Sequence, residues 1–207
     1  MRPQKSLMPS PLQAPRKRVV QTIPNAHPLI LVVDFEATCC DQGTIPSEEM
    51  EIIEIGACWA TLDGTVLEQF ECRVRPTLHP KLTHFCCNLL GIEQSHVASA
   101  ETITTVSGKL DRFVQLRAAD ASAWGSWGAF DRNLLERECL RMGLANPIPL
   151  RHLNLKQAYA KTKRIGKQVG MRKALELEGM RLEGQHHRAL DDALNIARIL
   201  PIALGGH

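Results

Sequence analysis

Long apolar stretches are missing from this chain of 207 residues. None approaches the roughly 20 residues that cross a bilayer, and the first residues lack the apolar core of a secretion signal. These absences predict a soluble, cytoplasmic protein with no membrane partner. Cysteine is present without a pattern: there are seven, an odd number that includes the adjacent pairs Cys39-Cys40 and Cys86-Cys87. Their spacing fits neither a zinc knuckle nor a disulfide framework, so reduced thiols and no zinc are expected. No internal repeat is found. Acidic residues are absent from the first 26 positions, which are rich in Pro and Gln and carry Arg2, Lys5, Arg16, Lys17 and Arg18. That composition predicts a disordered basic tail over 1–26 and a single folded domain over 27–204.

Residues 29–36 form a continuous apolar run rich in β-branched side chains that ends in Asp34 and Glu36. It reads as a buried strand. Side chains alternate along a strand, so Asp34 and Glu36 share one face and Phe35 takes the other. Paired carboxylates repel and raise each other's pKa, a cost that a cation relieves. An isolated Asp-x-Glu is also common where a strand runs out into solvent, so this segment alone does not decide.

The last helix is more informative. Asp192 falls on the apolar stripe formed with Ala193, Ile196, Ile199 and Leu200, and no Lys or Arg shares that stripe. A carboxylate placed there must be paired, hydrogen-bonded or bound to metal. Its neighbour Asp191 lines up instead with Asn195 and Arg198, which predicts a solvated face, an ion pair with Arg198 and no part in a site. Asp131 stands at the start of another helix, where capping is the simplest role. The chain has only nine aromatic residues, however, and Trp124, Trp127 and Phe130 all lie within eight residues of it. Flat rings beside a carboxylate suit base stacking next to bound metal.

Further elements follow from pattern. Strands are expected at about 50–60 and 65–75, joined by Thr-Leu-Asp-Gly-Thr into a meander, and at 122–127. Helices are expected at about 80–90, 102–118, 131–142, 154–162, 170–178 and 188–200. From Lys156 to Lys173 the chain carries seven cations and no acid. Such a run either attracts a phosphate backbone or is a solvated helix surface.

The segments Asp-Phe-Glu-Ala-Thr-Cys at 34–39, Glu-Ile-Ile-Glu-Ile-Gly at 51–56 and Val-Arg-Pro at 74–76 begin an ordered series. It continues with Phe-Cys-Cys-Asn-Leu-Leu-Gly-Ile-Glu-Gln at 85–94, Phe-Asp-Arg-Asn at 130–133 and His-His-Arg-Ala-Leu-Asp-Asp at 186–192. The series resembles the DEDDh 3′-to-5′ exonucleases, most of all their Eri-type exoribonuclease branch. The resemblance implies an α/β, RNase H-like mixed sheet, an antiparallel meander plus parallel strands, flanked by helices. It implies Asp34, Glu36, Asp131 and Asp192 as metal ligands for two Mg²⁺ or Mn²⁺, and His187 as general base with His186 as its neighbouring rival. It implies contact with substrate at Phe85, Phe130, Ala37, Thr38, Leu89 and Gly91. One departure is Leu90, where the family has Thr before Gly-Ile.

The expected activity is hydrolysis of single-stranded 3′ ends to nucleoside 5′-monophosphates. RNA is the expected substrate, and that preference rests on the resemblance alone. A DNA-directed exonuclease and a non-catalytic nucleic-acid-binding regulator on the same fold are the alternatives.

Overall fold

The computed structural model describes residues 28–205; the basic tail expected over 1–26 lies outside the described residues. A five-stranded sheet forms the middle layer. Its strands are β1 (Leu29–Ala37), β2 (Ile52–Ala60), β3 (Val66–Arg73), β4 (Ala121–Ser126) and β5 (His152–Asn154). They lie in the order β3-β2-β1-β4-β5. The first three pair antiparallel, as the expected meander, whereas β4 runs parallel to β1 and β5 parallel to β4. The mixed sheet expected from the sequence is therefore present. β5 was not anticipated, because three residues are too few to display a strand's alternation.

Seven helices flank the sheet: α1 (His84–Leu90), α2 (Gln94–Ala98), α3 (Ile103–Gln115), α4 (Phe130–Met142), α5 (Leu155–Thr162), α6 (Met171–Leu177) and α7 (Ala189–Ala203). None of the described helices is long and apolar enough to cross a membrane. The helix expected from about 80 begins only at His84, where the Thr83 hydroxyl accepts the Cys86 N–H. Gly91 ends it in the left-handed region, at φ 62°. α2 was missed, being a single short turn.

β1 is central and buried on both faces, which explains its unbroken apolar run. Leu31, Val33 and Phe35 pack against α3 and α4, while Ile30 and Val32 pack against α5, α6 and α7. Two layers of helix thus enclose the sheet, and Asp34 and Glu36 leave β1 on the α7 side. The register brings α7 close to them. Gly56 on β2 lies opposite Asp34, and a Cβ there would sit 2.0 Å from the Ala189 carbonyl carbon. The first turn of α7 therefore rests on bare backbone, at a separation no other residue at 56 allows without displacing the helix.

Candidate active site

Three segments distant in sequence meet at the end of β1. Carboxylate oxygens of Asp34, Glu36 and Asp192 lie within 4.8 Å of one another. Asp192 projects from the second residue-pair of α7, is buried, and accepts the His187 main-chain N–H at 3.0 Å. Asp131 comes from the first turn of α4. It does not cap its own helix: its Oδ1 reaches across to the Phe35 N–H at 3.0 Å. The simple capping role is thereby replaced by a tie between α4 and β1, 96 residues apart in sequence.

The electrostatics follow from gathering acids away from water. Burial, then Asp131, Glu36 and Asp192, push the Asp34 carboxyl well above the usual carboxylate range. Burial, then Asp192, Glu54 and Asp131, push Glu36 up to about 8. Burial also raises Asp131, to about 6, against the lowering effect of the Phe35 N–H, its own backbone and the Ser126 hydroxyl. Glu54 pairs with Glu36 across β1 and β2. Its carboxylate is itself engaged by the Arg188 guanidinium at 2.9 Å and the Ala189 N–H at 3.2 Å. Nearby oxygen donors with this much mutual repulsion fit a hard divalent cation such as Mg²⁺ or Mn²⁺.

Both histidines stand beside this cluster. Their rings stack at 4.0 Å. His186 Nδ1 contacts the Asp192 carboxylate at 3.0 Å, and His187 Nδ1 is 3.9 Å from Glu36 Oε1. Burial and the neighbouring His186 hold the His187 imidazole below its usual value, opposed by Asp192. The His187 backbone is left-handed, at φ 66°, an uncommon conformation for a residue with a side chain. The sequence offered no sign of what imposes it.

The surrounding contacts supply the reason, and they correct the expectation for Asp191. Its carboxylate accepts the Gln185 N–H at 2.8 Å and packs on Gly184, where a Cβ would come within 2.4 Å of it. Arg198 pairs with Glu183 at 3.1 Å instead, and its guanidinium donates to the Asn195 side-chain oxygen at 2.8 Å. Asp191 therefore anchors the loop that carries both histidines. Asp191→Ala is expected to lower kcat roughly 10- to 100-fold by loosening that loop. Asp191→Asn, which keeps the acceptor, should retain most of it, as steady-state kinetics on the paired variants would show.

The expected substrate contacts divide into two groups. Phe130, adjacent to Asp131, is 49% exposed and Phe85 37% exposed, so both rings are available to a ligand. Phe85 and Leu89 line a cleft of about 630 Å³ with Cys40, Thr83 and Asn88. Gly91 rests against the Gln185 amide, joining α1 to the histidine loop. Ala37 and Thr38 are buried, and the Thr38 hydroxyl accepts the Glu51 N–H at 2.9 Å. Leu90 is buried among Ile53, Leu82, Cys86, Ile92 and Val97, and presents no polar group to the cleft. Two of the three aromatics near Asp131 are structural. Trp124 is in the core against His152, with ring centroids 4.5 Å apart, and Trp127 packs on Tyr159 and donates to Val169 O at 3.0 Å.

Comparison with known proteins bears on what such a site does. The chain matches the exonuclease family designated RNase T over residues 31–200. It is 31% identical over 179 residues to human "3′-5′ exoribonuclease 1", covering 82% of this chain and 50% of that protein. It is 31% identical over 174 residues to "Probable 3′-5′ exonuclease KapD" of Bacillus subtilis, covering 84% and 83%. The chain thus spans half the length of the human relative and most of the bacterial one. Among solved structures it is similar to the nuclease domain of 3′hExo, a DEDDh family member, bound to rAMP. There the TM-score is 0.74 and the identity 28%, over 87% of this chain and 94% of that one.

Proposed function

The chain belongs to the RNase T exonuclease family, and on that premise we propose that it removes nucleoside 5′-monophosphates from single-stranded 3′ ends, with RNA as substrate. The observation that carries this reading is the meeting of Asp34, Glu36 and Asp192 within 4.8 Å, with Asp131 tied to the same strand and His187 beside Glu36. The catalytic unit is residues 27–204.

Asp34, Glu36, Asp131 and Asp192 would hold two divalent ions. When bound, such ions would acidify an attacking water and stabilise charge on the leaving 3′ oxygen. The neutral imidazole of His187 takes the proton from that water, a task its lowered pKa suits because the base form prevails near neutral pH. Carboxylates committed to cations cannot take that proton. Phe85 and Phe130 stack the terminal bases through exposed ring faces, which every base can satisfy. The cleft at Phe85 and Leu89 receives the end of the strand. The choice of RNA draws on the exoribonuclease relative and on the rAMP held by the solved nuclease domain. A binding-only role would leave the raised carboxylates as an unrelieved cost to the fold.

The test is a 3′-labelled oligomer series, RNA and DNA, single- and double-stranded, with Mg²⁺ or Mn²⁺. Mononucleotides should be the products, single-stranded RNA the best substrate, and a circular single strand should resist. Longer products or cleavage of the circle would reject exonucleolytic action in favour of internal cutting.

A further inference from the structure

The seven cations between Lys156 and Lys173 separate into two sets in the folded chain. Lys163 pairs with Glu178 at 3.0 Å, while Lys173 and Arg172 share Glu176 at 3.0 and 3.7 Å. Arg172 and Lys173 are thus neutralised within α6, and Lys163, at the end of α5, by the carboxylate that follows α6. Among the described residues Lys156, Lys161, Arg164 and Lys167 have no carboxylate partner, and the last three are exposed.

The unpaired set begins beside the active site with Lys156 and runs toward the far end of α7, where Ala203 and Leu204 stand beside Lys161 and Arg164. α5 starts where β5 ends, beside the end of β4, so its first turn lies at the edge of the sheet from which the chain passes to Phe130 and Asp131. The Lys156 side chain reaches to 4.0 Å from the position a Cβ would take on Gly128, two residues before Phe130. Lys161 and Arg164 follow along the helix and its end, and both line two adjoining depressions of about 480 and 610 Å³, the first completed by Lys167. The loop carrying Lys167 is fastened back to the Phe130 side by the bond from Trp127 Nε1 to Val169 O. Arg164 is held in the left-handed region at φ 52°, so its orientation is set by the turn that ends α5.

We propose that Lys156, Lys161, Arg164 and Lys167 form a track for the nucleic-acid backbone on the 5′ side of the terminal nucleotide. The proposal rests on the exonuclease reading for the identity of its ligand. Charge complementarity selects a polyanion: Lys161, Arg164 and Lys167 line adjoining depressions, Lys156 stands at the start of the same helix, and no acid lies between positions 156 and 173. From Lys156 to its last residue, Thr162, the helix rises roughly 9 Å. At about 3.4 Å per nucleotide that is the reach of about three stacked nucleotides. Contacts to phosphate position a strand without reading its sequence, so the track would favour longer substrates whatever their bases.

The test compares wild type with the triple variant Lys161→Gln, Arg164→Asn, Lys167→Gln; Asn is chosen because it tolerates the left-handed backbone. Fluorescence anisotropy with 5′-labelled RNA of two and eight nucleotides, in EDTA so that nothing turns over, reads binding directly. Wild type should hold the eight-mer far more tightly than the dimer. In the variant that advantage should fall roughly 10- to 100-fold, and the dependence of log affinity on log salt should become shallower by about 2, three contacts at roughly 0.7 each. In parallel, hydrolysis of the p-nitrophenyl ester of a nucleoside 5′-monophosphate with Mn²⁺ reports the site alone. An unchanged length advantage and salt slope overturns the track. If the ester is inert with both proteins, the exonuclease reading fails, while the binding arm still decides whether the track exists.

Discussion

Asp34→Ala, Glu36→Ala, Asp131→Ala and Asp192→Ala should each lower hydrolysis by at least about 10³-fold, since the charge stabilisation lost is several kcal/mol at 1.4 kcal/mol per decade. Their stabilities should diverge. Among the described residues Asp34 and Glu36 accept no backbone hydrogen bond, whereas Asp131 and Asp192 accept the Phe35 and His187 N–H groups. Removing either of the first pair relieves repulsion. Removing Asp131 leaves a buried N–H unpaired, a cost of about 1–3 kcal/mol.

Glu36 gives this a pH signature. Its folded value of about 8 stands above the ordinary 4.5, so the folded state binds the proton more tightly. The associated stability is fully present below about 4.5 and is lost as pH rises toward about 8. In EDTA the wild-type urea midpoint should therefore fall across that range. Glu36→Gln should flatten that part of the fall, and Mg²⁺ should restore the wild type at the alkaline end. A wild-type midpoint that instead rises over the range would contradict the burial of uncompensated acids.

His187→Ala should reduce kcat by roughly 10²- to 10⁴-fold without a matching change in KM. The wild-type rate should climb as the imidazole loses its proton and then level off. Because burial and His186 hold the His187 imidazole down, the inflection should lie on the acid side of the ordinary histidine value, and it should vanish in His187→Ala. His186→Ala is expected to do much less, although His186 is the ring that touches Asp192. If the inflection persists in His187→Ala and disappears in His186→Ala, the base is His186.

Much of the fold was legible because its signals are local. The apolar run of β1, the Asp-Gly turn into β3 and the stripe on α7 each declare themselves within a few residues. The place of Asp192 on that stripe announced its burial. What escaped depends on contacts between distant segments. Trp124 and Trp127 look like Phe130 in sequence, and only packing separates one core indole and one half-buried indole from an exposed ring. The polar spacing of Asp191, Asn195 and Arg198 predicted an ion pair along α7, but Asn195 and Glu183 take Arg198, leaving Asp191 to the histidine loop. Helix α7 was expected to end at Leu200, before Pro201, yet it runs through Pro201 to Ala203. A proline in the last turn forfeits a single N–H bond there and does not halt the helix.

Gly56 has no functional group, yet it decides where Asp192 stands relative to Asp34. Precision in this site comes from a methyl that is missing: main chain rests on main chain, and the acids take their separation from that seat. In a saturation scan position 56 would therefore be as intolerant as the acids, with even Ala rejected, while a search for chemistry-bearing side chains would pass over it. Relatives that share the acids but carry a side chain at this place would need a differently seated last helix, so the identity of one silent residue sorts functional sequences from lookalikes.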